Sequence, residues 1–124
     1  MFFFRIFASK AYDMRNRTFS ELKGGDSVYQ VMFAVHGVPT FTEEKIFKIA
    51  HRRGKSVFKI GSTVYDIKSD NTIYKSLSCI ISPNKEEVVK IYEKFLKGMI
   101  SQYEKEMEKC QKHIQEYTSC LNNL

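Results

Sequence analysis

Between Leu22 and Ile81 the apolar residues come in short clusters that alternate with polar ones, the period-two mark of half-buried strands. After Pro83 the spacing changes to threes and fours, the mark of a helix. Ser27 to Val35, rich in Val, Tyr and Phe, reads as a strand, and HGVPT at 36 to 40 turns the chain on Gly37 and Pro39. From Glu44 to His51, Lys45, Phe47 and Ile49 fall on one side of a strand, with Ile46, Lys48 and Ala50 on the other. RRGK turns the chain again. Ser56 to Ile60 and Thr63 to Ile67 follow, separated by a bulge or turn at Gly61-Ser62, and the polar turn 68 to 71 leads into a last strand from Thr72 to Ile81. Five strands of this length and spacing predict a small, strongly bent antiparallel sheet or barrel.

At the N-terminus, Phe2, Phe4 and Ile6 alternate with Phe3, Arg5 and Phe7, which predicts a strand over residues 1 to 8 rather than a targeting segment. Residues 9 to 22 read as a short helix capped by Ser9, with Gly24-Gly25 as a break.

The C-terminal third starts at SPNKEE, where Ser82 or Asn84 can accept from free N–H groups and Glu86 and Glu87 meet the positive end of the dipole. Apolar residues then recur at Val88, Tyr92, Phe95, Met99, Tyr103, Met107, Cys110, Ile114, Tyr117 and Leu121. Val89, Ile91, Leu96 and Ile100 widen this face in its first half, so residues 85 to 100 are expected to pack on the sheet. Beyond them Tyr103, Met107, Cys110, Ile114, Tyr117 and Leu121 form a narrow stripe among charges. Such a stripe serves a dimeric coiled coil or another partner helix. The competing arrangement is a kink at Gly98 and a second helix folded back. The division is thus 1–84 for the N-terminal strand and barrel, and 85–124 for the helix.

Charge changes the picture more than composition does. The chain of 124 residues carries a net charge of +6, and from Lys85 onward seven Lys and seven Glu cancel. The whole excess therefore lies in residues 1 to 84, which favours a polyanion or an acidic protein as partner and excludes an acidic mimic of DNA. Three widely spaced cysteines without CxxC spacing give no zinc site and fit reduced thiols in a cytoplasmic protein. No apolar run has the length of a membrane span.

Candidate chemistry centres on HRRGK, residues 51 to 55. A phosphate loop needs a glycine at position 49, which is Ile, and a helix after the lysine, where a strand is expected. Nucleotide hydrolysis is thereby excluded. What remains is a hairpin tip on which Arg52, Arg53 and Lys55 can straddle a phosphate backbone, with Lys45, Lys48 and Lys59 adding to the same side if the strand registers cooperate. Tyr29, Phe47, Phe58, Tyr65 and Tyr74 are either stacking faces for bases or core. His36, His51 and His113 are scattered, with no metal-binding or catalytic spacing, and Cys79 lies in an apolar strand. No catalytic residue, metal or cofactor is indicated.

The segments GGDSVY, GKSVFKIGSTVYDI and SPNKEE resemble small SH3-like, KOW-type barrels of bacterial and phage proteins, over about residues 22 to 97. Gly25-Asp26-Ser27-Val28-Tyr29 and Lys85-Glu86-Glu87 carry the likeness. It implies a fold and a binding role, but no catalytic residues. The expectation is therefore an α+β protein: a small antiparallel SH3-like barrel followed by a long helix. It is a non-enzymatic binding module that contacts nucleic acid or an acidic protein, with self-association through the helix. The alternative is a protein–protein adaptor or inhibitor acting through that helix.

Overall fold

The computed structural model describes residues 16–34 and 37–124. The strand expected over residues 1 to 8, most of the short helix expected after it, and His36 lie outside the described residues. Within them the order is a 3-10 turn (Phe19–Glu21), then β1 (Ser27–Met32), β2 (Thr40–Lys45), β3 (Ile49–Arg52), β4 (Lys55–Ile60), β5 (Thr63–Lys68), β6 (Tyr74–Lys75), β7 (Cys79–Ser82) and α1 (Lys85–Asn122). The class is α+β, with every strand pairing antiparallel. The strands form two sheets, β2-β1-β7-β6 and β3-β4-β5, and no closed ring of hydrogen bonds is present among the described residues. The chain divides into two compact units, one ending at Val89 and one running from Lys90 to Leu124.

One segment, Thr40 to Arg52, serves both sheets, and its alternation differs from the expected one. The ladder of β1 and β2 runs on to Ile46, whose N–H donates to the Asp26 carbonyl at 2.9 Å and whose carbonyl accepts from Gly25 N–H. Ile46 is fully buried, Phe47 and Lys48 are both exposed, and Ile49 is half-buried. Two successive outward side chains mark a bend where one residue slips the period, as a bulge does. Gly24 makes the bend possible: a Cβ there would lie 2.7 Å from the Phe47 carbonyl oxygen. The expected last strand is likewise two strands, β6 and β7, folded on each other through Ser76, whose N–H donates to the Cys79 carbonyl at 2.9 Å.

The core joins the inner faces of both sheets: Val28, Cys79 and Ile81 from the first, Phe58 and Ile67 from the second, and Phe19, Leu22 and Ile46 between them. Phe58 stacks on Phe19 with ring centroids 6.1 Å apart and meets Tyr65 at 5.9 Å. Leu22, Phe19 and Ile46 bury almost completely, which is worth about 1.5–3 kcal/mol for each side chain of this kind. Gln30, buried on β1, donates to the Tyr65 hydroxyl at 3.2 Å and so ties the sheets together. Asn84 does not cap α1 with its side chain. Its Oδ1 accepts from Arg17 N–H at 2.7 Å and its Nδ2 donates to the Arg17 carbonyl at 2.8 Å, holding the chain before the 3-10 turn as a strand neighbour would.

Burial pushes the Tyr65 phenol above its ordinary value of 10.0, with Cys79 adding to the rise, and burial together with Glu43 does the same for Tyr29. A tyrosine whose value is raised on folding stabilises the fold fully below pH ~10, the unfolded value, and loses that contribution as pH climbs through the folded value. The melting temperature is therefore expected to fall above pH ~10. A late component of the ultraviolet phenolate titration should shrink in Tyr65→Phe; an unchanged titration curve would refute the assignment.

Helix α1 is a single element of 38 residues, about 57 Å at 1.5 Å per residue, and it runs through Gly98 without interruption. This removes the folded-back second helix as an arrangement. Val88 in its first turns is buried, whereas every residue from Ser101 to Leu124 is exposed. No described helix is long and apolar enough to cross a membrane.

Candidate nucleic-acid interface

The register of the second sheet sorts its side chains. Ile49 lies opposite Phe58, His51 opposite Ser56, and Ser56 opposite Ile67. These form the inner set, with Phe58, Ser56 and Ile67 buried. The outer set is then fixed by the period of two. Arg52, Lys55 and Lys68 lie directly across the three strands as one row, and Ala50, Val57 and Asp66 form the next. Lys48, Lys59 and Val64 follow at the end near the bend, Lys59 facing Val64 directly. The sequence-derived candidates Lys48, Arg52, Lys55 and Lys59 thus share one face, with Lys68 as a fifth cation that the sequence alone did not single out.

Like charges directly opposite each other across strands are unfavourable, and this row has three. Among the described residues, none of the five cations has a carboxylate within ion-pair distance. Asp66 is the face's single acid; it lies opposite Val57, two residues along β5 from Lys68 and diagonal to Lys55 and Lys59, but pairs with none of them.

Arg53 sits in the tip of the β3–β4 hairpin with φ of 52°, followed by Gly54 at 75°. Two successive positive φ values make a type I′ turn, whose first position favours Asn, Asp or Gly. An arginine there costs about 1–2 kcal/mol relative to a right-handed conformation. Arg53→Asn, which creates an Asn-Gly turn, is expected to stabilise the domain by about 1 kcal/mol and raise its melting temperature by several degrees. It should also weaken polyanion binding; a variant that is more stable and binds equally well would remove Arg53 from the interface.

The histidine of HRRGK has a different task. His51 Nε2 lies 2.8 Å from the Leu22 carbonyl oxygen, so it carries the proton and donates. Its Nδ1 lies 2.8 Å from Ser56 Oγ, which lies 2.7 Å from Ser69 Oγ. A histidine beside a serine raises the question of nucleophilic catalysis; Ser56 is 0% exposed, with its hydroxyl engaged by both His51 and Ser69. The chain of contacts pins the hairpin to the 3-10 turn.

The aromatic candidates separate cleanly. Phe58 is core, and Tyr65 and Tyr74 pack against it with ring centroids 6.2 Å apart. Tyr29 stacks on Phe41 and donates to Glu43 at 3.3 Å. Phe47 alone of the five is free, at 87% exposure. It stands at the wall of an open groove of about 1060 Å³ over the outer face, lined also by Ala50, Val57, Val64, Lys48 and Lys59.

On the helix, Tyr103, Met107, Cys110, Ile114, Tyr117 and Leu121 are all exposed. With Ile100 they follow strict alternating steps of three and four, placing Ile100, Met107, Ile114 and Leu121 at a positions and Tyr103, Cys110 and Tyr117 at d positions of a heptad. No group of His, Cys, Asp and Glu able to hold a metal ion occurs among the described residues, and Cys79, Cys110 and Cys120 are free thiols. Compared with protein-family models, curated proteins and solved structures, the chain matches none.

Proposed function

We propose that the protein is a binding module, not an enzyme, and that the outer face of β3-β4-β5 takes the phosphate backbone of a nucleic acid. The observation that carries this reading is the row Arg52–Lys55–Lys68, three cations aligned across three strands without carboxylate partners, next to a tip arginine in a strained conformation. Local strain and like-charge opposition cost stability, and proteins hold such features where a ligand offsets them. An SH3-like barrel is the fold we favour, supported by the bent segment Thr40 to Arg52 that feeds both sheets. The free thiols fit a cytoplasmic setting.

Binding to a fluorescent 20-mer of thymidine tests the reading. With about five cations engaged, log K should fall with log salt at a slope of roughly −3 to −4, since each neutralised phosphate of a single strand contributes about −0.7. An acidic protein surface is the competing partner for the same face; it is favoured if the 20-mer fails to bind at low salt.

A second reading rests on a different observation, the exposed heptad seam of α1. We propose that it pairs two copies of the chain as a coiled coil. The flanking e and g positions hold Glu104, Glu106, Gln111, His113, Thr118 and Cys120, so in a parallel pair no Glu is forced to face another Glu across the seam. If the chain proves monomeric, the seam belongs to a helix of another protein and the module is an adaptor.

A further inference from the structure

We propose that Phe47 is a stacking platform for an unpaired base, so that the nucleic acid bound by the basic face is single-stranded. The inference rests on the basic-face reading and deepens it. A ring this exposed contributes nothing to the core, whose buried aromatic members among the described residues are Phe19 and Phe58. Yet its backbone is firmly placed. The Ile46 carbonyl before it accepts from Gly25 N–H, and Gly24 lies so close to the Phe47 carbonyl that a Cβ would collide with it. With the backbone placed, only the two side-chain torsions of Phe47 are left to order when a base stacks on it.

Its surroundings match the chemistry of a nucleotide. The groove floor beside the ring is apolar, from Ala50, Val57 and Val64, and suits the face of a base. Lys45, Lys48 and Lys59 rim the same groove, against one acid, Glu44. Cations beside an aromatic face suit a base with its own phosphates attached, and stacking tolerates every base because each has a π-face. Lys59 also belongs to the outer face that leads to the row Arg52–Lys55–Lys68, four residues or about 13 Å along β4 from Lys55. A strand with one base in the groove can therefore lay its backbone along the lysines toward the hairpin tip. In a duplex the bases are paired and stacked on each other, and their faces are closed to Phe47.

The test compares a thymidine 20-mer, the same 20-mer with abasic residues, and a 20-base-pair duplex, with wild type and Phe47→Ala. Wild type is expected to bind the thymidine strand about tenfold more tightly than the abasic strand. Phe47→Ala should lose that tenfold, bind both strands alike, and keep the wild-type duplex affinity and salt slope. Phe47→Tyr should retain the preference. The thermal melt should not move, because the ring is outside the core. Equal binding of thymidine and abasic strands by wild type, or an equal loss on strand and duplex in Phe47→Ala, would overturn this proposal and leave the basic face standing. Wild type that binds no oligonucleotide at low salt would overturn both.

Discussion

Replacing Arg52, Arg53 and Lys55 together with alanine is expected to weaken binding to a thymidine 20-mer about a hundredfold at physiological salt. Each lost charge-assisted contact is taken as about 1 kcal/mol in solvent-exposed surroundings, and each 1.4 kcal/mol is tenfold. The salt slope should fall by about two, because three of the released counterions are no longer displaced. Folding should survive, since all three side chains are exposed and the substitution removes the opposition of Arg52 and Lys55. The matched control is Lys90, Lys94 and Lys97 on α1, replaced by alanine. It changes the net charge equally but leaves the sheet intact, and it should cost little. An equal loss in both variants would mean that binding follows total charge and not this face.

The second large effect concerns the helix. Met107→Glu combined with Ile114→Glu is expected to convert a dimer into a monomer in light scattering, with dissociation raised more than a thousandfold. The substitutions place two pairs of carboxylates at facing a positions, where burial without partners is costly. The monomer should keep its α-helical signal in part, because a long helix without a partner is marginal in water at its free end. Cys110 supplies an independent readout. In a parallel pair in register it meets its own copy at a d layer, within reach of a disulfide under mild oxidation. Cys110→Ser should abolish that cross-link and Cys120→Ser, at a g position, should not. A wild-type chain that is monomeric at high concentration would refute self-association.

Much of the fold is legible because periodicity is a local signal. The hairpin at 51 to 55, the turn at Gly61-Ser62, the change of period after Pro83 and the stripe from Tyr103 to Leu121 all follow from spacing and turn chemistry. The bend at Phe47-Lys48 was not legible. A strict alternation puts Phe47 with Ile49, whereas Phe47 and Lys48 both face outward at a bend where the Phe47 carbonyl passes close to Gly24, over twenty residues away. The division of the last strand at Ser76 to Ser78 was hidden for a related reason. Thr72 to Ile81 reads as one β-rich run, and only the hydrogen bonds of Ser76 to the Cys79 backbone fold it on itself. Spacing leaves Ser82 and Asn84 as alternative caps of the helix; Ser82 Oγ accepts from Asn84 N–H at 3.0 Å, whereas the Asn84 amide matches the Arg17 backbone far away in sequence.

The candidate site shows the same limit. Charge along the chain points to Lys45, Lys48, Arg52, Arg53, Lys55 and Lys59, which lie close in sequence, but Lys45 belongs to β2 in the other sheet. Lys68 joined them only through the register Lys55↔Lys68, a fact of pairing that composition does not contain. The aromatic residues were open between stacking and core until burial separated Phe58 from Phe47.

The measurement that bears most directly on the account is an amide chemical-shift titration of the full chain with the thymidine 20-mer at low salt. Shifts are expected to concentrate at Phe47, Lys48, Arg52 to Lys55, Lys59 and Lys68, with β7 and the helix beyond Ser101 unmoved. Shifts confined to the helix, or to the β2-β1-β7-β6 sheet, would contradict it.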